Sequence, residues 1–124
     1  MAKLRNIFLK GVETLFKTFE EAVKLGTYNL DTDDGFNTST TASDDIRCIF
    51  EKFTAKDVEL LTFSKLIQPQ DIKGLLPSVD LVNCEMNTQG YVLFGEGEAI
   101  EKYTVEGHDL DPMDVIYTLL LRKV

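Results

Sequence analysis

The chain has 124 residues, the length of one ordinary domain, and its 44% hydrophobic content is enough to build a core. Its 21 acidic residues outnumber the 13 basic residues, which gives a net charge of −8. Nucleic-acid backbones and anionic membrane surfaces both attract positive charge, so this balance argues against a freestanding nucleic-acid-binding domain and against membrane binding. We therefore expect a single domain over residues 1–124.

The first segment has the pattern of an amphipathic helix over about residues 2–25. Its apolar residues recur at steps of three and four, which places them in one stripe along a helix. Gly26 is a natural stop for this helix. The residues of the stripe are Leu4, Phe8, Val12, Leu15, Phe19 and Val23.

Residues 31–45 are rich in Asp, Thr and Ser, and Phe36 is the one aromatic residue among them. Such a composition offers little apolar surface to bury, so the pattern predicts a long exposed loop. A calcium-binding loop of the EF-hand type is excluded by spacing. Counted from Asp31, Gly35 is fifth instead of sixth, and Ala42 stands where a Glu ligand is needed.

Strand patterns dominate from residue 46 onward. The closing run is apolar on both faces, so we expect it to be central or covered on both sides. Residues 52–68 fit either a short helix or a strand, residues 79–84 fit a continuation of the strand before them, and residues 107–112 are predicted as a turn. The predicted strands are 46–51, 72–76, 91–94, 100–105 and 115–121.

These elements together predict an α+β, mainly β fold. It would be a small antiparallel β-barrel or sandwich over about residues 46–124, preceded by the long N-terminal amphipathic helix.

The chain offers little for metal binding or catalysis. Cys48 and Cys84 form no C-x-x-C pair, and together with the single histidine, His108, they fall short of a four-ligand zinc site. Reduced, buried thiols are the simpler prediction, because a disulfide would need the two Cα atoms close together. We expect no metal and no cofactor.

Two groups of residues deserve a test as catalytic acids or bases. His108 is followed by Asp109 and Asp111, but no Ser or Cys nucleophile is placed beside it in sequence. Glu96, Glu98 and Glu101 surround a predicted hairpin turn, where a solvated acidic face is the ordinary outcome. We therefore expect no enzymatic activity; a small enzyme using Glu98, Glu101 and His108 stays as an alternative.

The order of the pieces carries a resemblance. A starting helix ends near Gly26-Thr27-Tyr28, and a polar loop and the strand 46–50 follow. The stretch 67–81 then reads Pro-x-Asp, an apolar strand and Asp-Leu, a hairpin ends at 103–105, and an apolar strand closes the chain with Arg122. This succession, over most of the chain, resembles the head–tail connector proteins of tailed phages, also called neck, head-completion or head-closure proteins.

The resemblance implies a structural protein that forms a homo-oligomeric ring and performs no reaction. Such rings are twelve-fold in the head-closure class and six-fold in the tail-terminator class, and they lie in the virion neck between the portal or adaptor ring and the tail proteins. DNA passes through the bore without specific binding, which an acidic lining would favour because it repels phosphate. Before assembly in the host cytoplasm, a charge of −8 on each subunit would keep the subunits apart.

In this hypothesis the helix, the segments 31–45 and 52–68, and the end of the chain contact neighbouring subunits or partners. Two alternatives remain: a tail-terminator ring, and a small β-barrel module that binds a ligand. The candidate contact residues are Leu4, Phe8, Phe36, Phe53, Leu60, Phe63 and Arg122.

Overall fold

The structure is a computed structural model that describes residues 2–33, 35–43, 45–81, 84–95 and 97–124. It contains two helices, seven strands and four short 3₁₀ turns in these residues. The helices are α1 (Ala2–Thr18) and α2 (Ala55–Leu60). The strands are β1 (Val23–Asp33), β2 (Thr38–Ala42), β3 (Ile46–Glu51), β4 (Ile72–Pro77), β5 (Tyr91–Phe94), β6 (Glu101–Leu110) and β7 (Ile116–Lys123). The 3₁₀ turns are Glu20–Ala22, Ser64–Leu66, Ser78–Asp80 and Gly97–Ala99.

Six strands close into an antiparallel barrel in the order β1-β3-β4-β7-β6-β5, and β5 returns to pair with β1. Strand β1 closes the barrel because it is long enough to pair with three partners in succession. Its first residues pair with β3, Gly26 to Asn29 pair with β5, and Asn29 to Asp33 pair with β2, which lies outside the barrel. The predicted fold class is confirmed, with a barrel and not a sandwich.

The barrel interior is filled by alternate residues of its strands. Aromatic rings meet edge to face there: Phe50 lies 5.1 Å from Phe94 and 5.2 Å from Tyr103, measured between ring centroids. The buried core residues are Tyr28, Ile46, Cys48, Leu76, Val92, Phe94, Tyr103, Val105, Leu119 and Leu121. These side chains leave the interior occupied, so the barrel is a packed core and not a channel.

Helix α1 covers the outer face of β3 and β4 with its C-terminal half. Val12 and Phe16 pack with Ile49 and Val115 in a second apolar cluster, and Leu75 joins its margin. Ile49 and Leu75 are register partners, so their side chains point to the same face of the sheet.

Among the described residues, no helix is long and apolar enough to cross a membrane.

The segment with α2 covers a second part of the outer surface, above β4, β7 and β6. Leu120 lies opposite both Lys73 and Gly107, so all three side-chain positions face the same way. Lys73 reaches Asp57 of α2, and Phe63 packs onto Gly107. Leu119, Leu120 and Leu121 are therefore all fully buried, and the prediction of a closing strand covered on both sides is confirmed.

The predicted helix over 2–25 is too long. The helix ends at Thr18, and Val23 begins β1 opposite Ile49. Val23 continues the helical spacing by coincidence, because it belongs to β1, where pairing with β3 outweighs helical propensity. Phe19 lies before the Glu20–Ala22 turn and is 52% exposed. The barrel consequently begins at residue 23 and not at 46.

The predicted loop over 31–45 is mostly a β-hairpin of β1 and β2. Here Thr32 pairs with Ser39 and Asp31 with Thr40, while the Thr40 hydroxyl donates to the Asp31 carboxylate at 2.6 Å. Backbone pairing and β-branched threonines stabilise this hairpin, so a segment with few apolar residues is ordered as strands here and not as a loop.

Other predictions meet mixed outcomes. His108 lies in β6 opposite Leu119 and not in a turn. The turn falls at 111–114, where the Asp111 carboxylate accepts from the backbone amides of Val115 and Ile116.

In 52–68 the helix alternative is right, because Thr54 and Asp57 form a capping box at the start of α2. The predicted continuation of β4 over 79–84 is not seen where the structure describes it, because the 3₁₀ turn Ser78–Asp80 follows β4. Residues 82–83 of that stretch, and Glu96 of the predicted hairpin turn, lie outside the described residues.

Candidate interaction surfaces

The candidate acid–base residues are not brought together. Glu101 and His108 both lie in β6, seven residues apart, or roughly 23 Å along the strand. Glu101 accepts from the Tyr103 hydroxyl at 2.9 Å and lies 3.5 Å from Lys123 Nζ; these contacts, that of Tyr103 first, lower the pKa of the Glu101 carboxyl. Glu98 is exposed in its 3₁₀ turn. In the described residues, no three metal-binding side chains gather at one point.

The two cysteines are free thiols in different surroundings. Cys48 is fully buried in the barrel, and burial raises the pKa of its thiol to about 12, so it stays protonated and unreactive at neutral pH. Cys84 is half-buried.

Arg122, a predicted contact residue, is engaged within its own chain. Its guanidinium donates to both oxygens of Asp71 at 3.0 and 2.9 Å and to the Leu66 carbonyl at 3.2 Å. The Asp71 side chain is fully buried, and burial by itself would raise its pKa, but the hydrogen bonds from Arg122 and from the Gln68 amide lower it. Arg122 therefore fastens the segment before β4 to β7.

A second arginine, Arg47, joins three elements and was not singled out from the sequence. Its guanidinium donates to Glu13 of α1 at 2.8 and 2.9 Å and to Asp80 at 2.9 Å. The hydrogen bonds with Glu13 and Asp80 raise the pKa of Arg47 above its ordinary value. An arginine on an apolar strand is the only hint that the sequence offers, and its partners lie 34 and 33 residues away.

The other predicted contact residues divide by burial. Four are exposed: Leu4 (46%), Phe8 (47%), Phe36 (94%) and Leu60 (69%). Phe53 is half-buried, with its ring 6.1 Å from that of Phe63. Phe63 is buried, because it packs against Gly107, and in this fold it is not available to another chain.

The structure adds two apolar surfaces outside the core. We call the first the helix face; it consists of Leu4, Ile7 and Phe8 on the N-terminal half of α1, beyond the part that packs on the barrel. We call the second the strand groove; it is a shallow depression of about 480 Å³ on the outer side of β1 and β5. Leu25, Leu93 and Ile100 line it together with Asp45.

A third surface lies between α2 and the segment before β4. This depression has a volume of about 560 Å³ and is lined by Phe53, Val58, Ile67 and Ile72 among others. Sequence reasoning marked the segment 52–68 but not the groove, because the groove forms only when 67–72 folds back beside α2.

Comparison with protein-family models and with curated proteins gives no match for this chain.

Proposed function

We propose that this chain is a non-enzymatic structural subunit of the neck of a tailed phage. It would form a ring between the portal or adaptor ring and the tail, and DNA would pass through that ring. The observation that supports the proposal is the position of its exposed apolar side chains. Among them, Leu4 and Phe8 project from α1, Phe36 from the β1–β2 hairpin and Leu60 from α2, all of which are parts added to the barrel.

Each of these side chains leaves apolar surface in water, and that exposed surface does not stabilise an isolated subunit. Contacts with neighbouring subunits would remove that surface from water, as in ordinary protein–protein interfaces. Projections from three separate elements suit a subunit with neighbours on more than one side, which is the situation in a ring stacked between two other rings.

The charge of the chain agrees with passage of DNA. Exposed carboxylates lie on its connections and hairpin, among them Glu20, Asp31 and Glu85. Carboxylates repel the phosphate backbone, so DNA would slide past them instead of binding.

The direct test locates the chain in phage particles that contain it. Cryo-electron microscopy of mature particles should show density of this fold in the neck, and a twelve-fold ring is expected. A six-fold ring at the head-proximal end of the tail would support the tail-terminator alternative instead. Absence of the chain from mature particles would refute both.

A biochemical test addresses the enzyme and ligand alternatives. The purified chain should be inert in hydrolase screens and should elute from gel filtration as a monomer until a portal ring is added. Turnover that is lost in Glu98→Gln or His108→Ala, with the fold intact, would contradict the proposal. Saturable thermal stabilisation by a small molecule would favour a ligand-binding module.

A further inference from the structure

We propose that the helix face of one copy of this chain docks into the strand groove of the next copy. The inference rests on the proposed function as a ring subunit and names the contact by which neighbouring subunits join. Three observations carry it: complementary apolar surfaces, complementary charge, and the placement of the two surfaces on different parts of the barrel.

Both surfaces consist of large apolar side chains that are exposed in the isolated chain. On the helix face, Ile7 is 60% exposed, and in the strand groove Leu25 is 65% exposed and Ile100 48% exposed. The helix face thus presents three exposed apolar side chains, and the strand groove presents two, together with half-buried Leu93. The fold already contains one contact of this type, because the other half of α1 packs on the outer face of β3 and β4.

The charges are also complementary. Helix α1 carries four basic residues and one acidic residue, whereas the chain as a whole has a net charge of −8. Exposed Lys3 and Lys10 accompany the helix face. At the strand groove, Asp45 is part of the lining and exposed Glu98 lies two residues before Ile100. Opposite charges around an apolar centre would select this pairing and orient it.

An anionic membrane would also attract a basic apolar helix. The rest of the chain argues for a second copy, because a strongly acidic barrel would be repelled by anionic lipid. A groove with the exposed carboxylates Asp45 and Glu98 beside it is present on the chain itself.

The helix face and the strand groove of one molecule do not contact each other, because the helix is held over β3 and β4 while the groove lies on β1 and β5. Arg47 fixes the helix in that place through Glu13 and Asp80. A contact between unlike surfaces of identical subunits is heterologous, and repeated contacts of this kind form a ring when the rotation closes.

Cysteine cross-linking tests the contact even when net repulsion makes it short-lived. The variant pair Ile7→Cys and Ile100→Cys, both at exposed positions, is placed in one Cys84→Ser chain, where buried Cys48 stays inert. Mild oxidation should then give a ladder of trimers and higher species. Each single-cysteine chain should give only background dimer, and so should the matched pair Ile7→Cys with Leu60→Cys.

Charge reversal sharpens the test. Lys3→Glu with Lys10→Glu should abolish the ladder, and adding Asp45→Lys with Glu98→Lys should restore it. The matched control is Lys56→Glu with Lys65→Glu, which makes the same charge change on other exposed lysines and should leave the ladder unchanged.

Two results would overturn the inference. One is a ladder no stronger than that of the control pair. The other is abundant dimer from Ile7→Cys alone, which would mean that two helix faces meet each other. A ladder from a chain that is absent from phage necks would refute the proposed function and leave the contact standing. A neck ring whose subunits give no ladder would support the proposed function and refute the contact between helix face and strand groove.

Discussion

Strands β7 and β2 belong to the same sheet but are held by different forces. In β7, Leu119, Leu120 and Leu121 are fully buried, with the barrel core on one face and the α2 segment on the other. Strand β2 reads Thr-Ser-Thr-Thr-Ala, pairs with β1 alone, and has exposed residues. Packing therefore fixes β7, whereas backbone hydrogen bonds and a few side-chain contacts fix β2.

Stability and assembly therefore depend on different parts of this molecule. Changes in and around β7 should lower the free energy of unfolding, since they disturb close packing. Changes in the hairpin or in the N-terminal half of α1 should leave the fold nearly unchanged, since little is buried there. Surfaces of the second kind are free to serve contacts with other chains.

The largest effect is expected for Leu119→Ala. This residue is fully buried in the barrel core, so truncation should lower the free energy of unfolding by about 3–4 kcal/mol. Urea denaturation followed by circular dichroism measures the loss. Leu60→Ala is the matched control at a 69% exposed position, and it should change stability by less than about 1 kcal/mol. Equal losses in both variants would show that burial in the barrel does not decide the stability of this chain.

Asp71→Asn should come next, with a loss of about 2–3 kcal/mol, because it removes the charge that partners Arg122 across β4 and β7 while Arg122 stays partly exposed. The folded-state pKa of Asp71 is lowered, so its stabilisation is complete above the ordinary aspartate pKa of about 3.9 and is lost as pH falls through the lower folded-state value. In urea titrations at falling pH, the stability gap between the two proteins should narrow below about pH 4.

The control for that experiment is Glu51→Gln. Glu51 pairs with Lys73 at 3.3 Å but is 47% exposed, so its loss should cost less than about 1 kcal/mol. A gap between wild type and Asp71→Asn that stays constant down to pH 2 would show that the Asp71 charge is not what stabilises this pair.

Gly107→Ala should lower stability by about 1–2 kcal/mol through overpacking. A Cβ at this position would lie 2.6 Å from Phe63 Cβ, so the α2 segment would have to move away from β6. Hydrogen exchange should then accelerate in residues 55–66 more than in β3. If the variant is as stable as wild type, the packing of Phe63 on β6 is incorrect.

Gly11→Ala should act in the opposite direction. This glycine lies inside α1, and an added methyl group would meet no atom within 4 Å, so stability should rise by up to about 1 kcal/mol. Thermal and urea unfolding measure the gain. A loss would mean that α1 is bent or closely approached at this point.

The smallest effect belongs to the hairpin. Thr40→Ala removes the hydroxyl that donates to Asp31 at 2.6 Å, an exposed contact worth about 0.5 kcal/mol. Amide exchange in β2 should nevertheless become faster, while exchange in β7 stays as slow as in wild type. A loss of global stability comparable with that of Leu119→Ala would show that the hairpin is part of the core.

Several elements could be predicted because they depend on local pattern. Residues 46–51 and 91–94 alternate as strands do, the run before Arg122 is apolar on both faces, and a helix begins the chain. Leu4, Phe8 and Leu60 are exposed, as contact residues must be, and their contact with another chain stays a prediction.

The size of the domain, its acidic charge and the mainly β class with a helix in front follow from composition and local periodicity. These properties do not depend on which distant residues meet in the fold. The end of α1 at Thr18, the hairpin at 31–42 and the long reach of β1 were decided only by strand pairing. The same holds for the strand groove and for the internal roles of Phe63 and Arg122. Each of these depends on residues far apart in the chain, whose approach is fixed when the barrel closes.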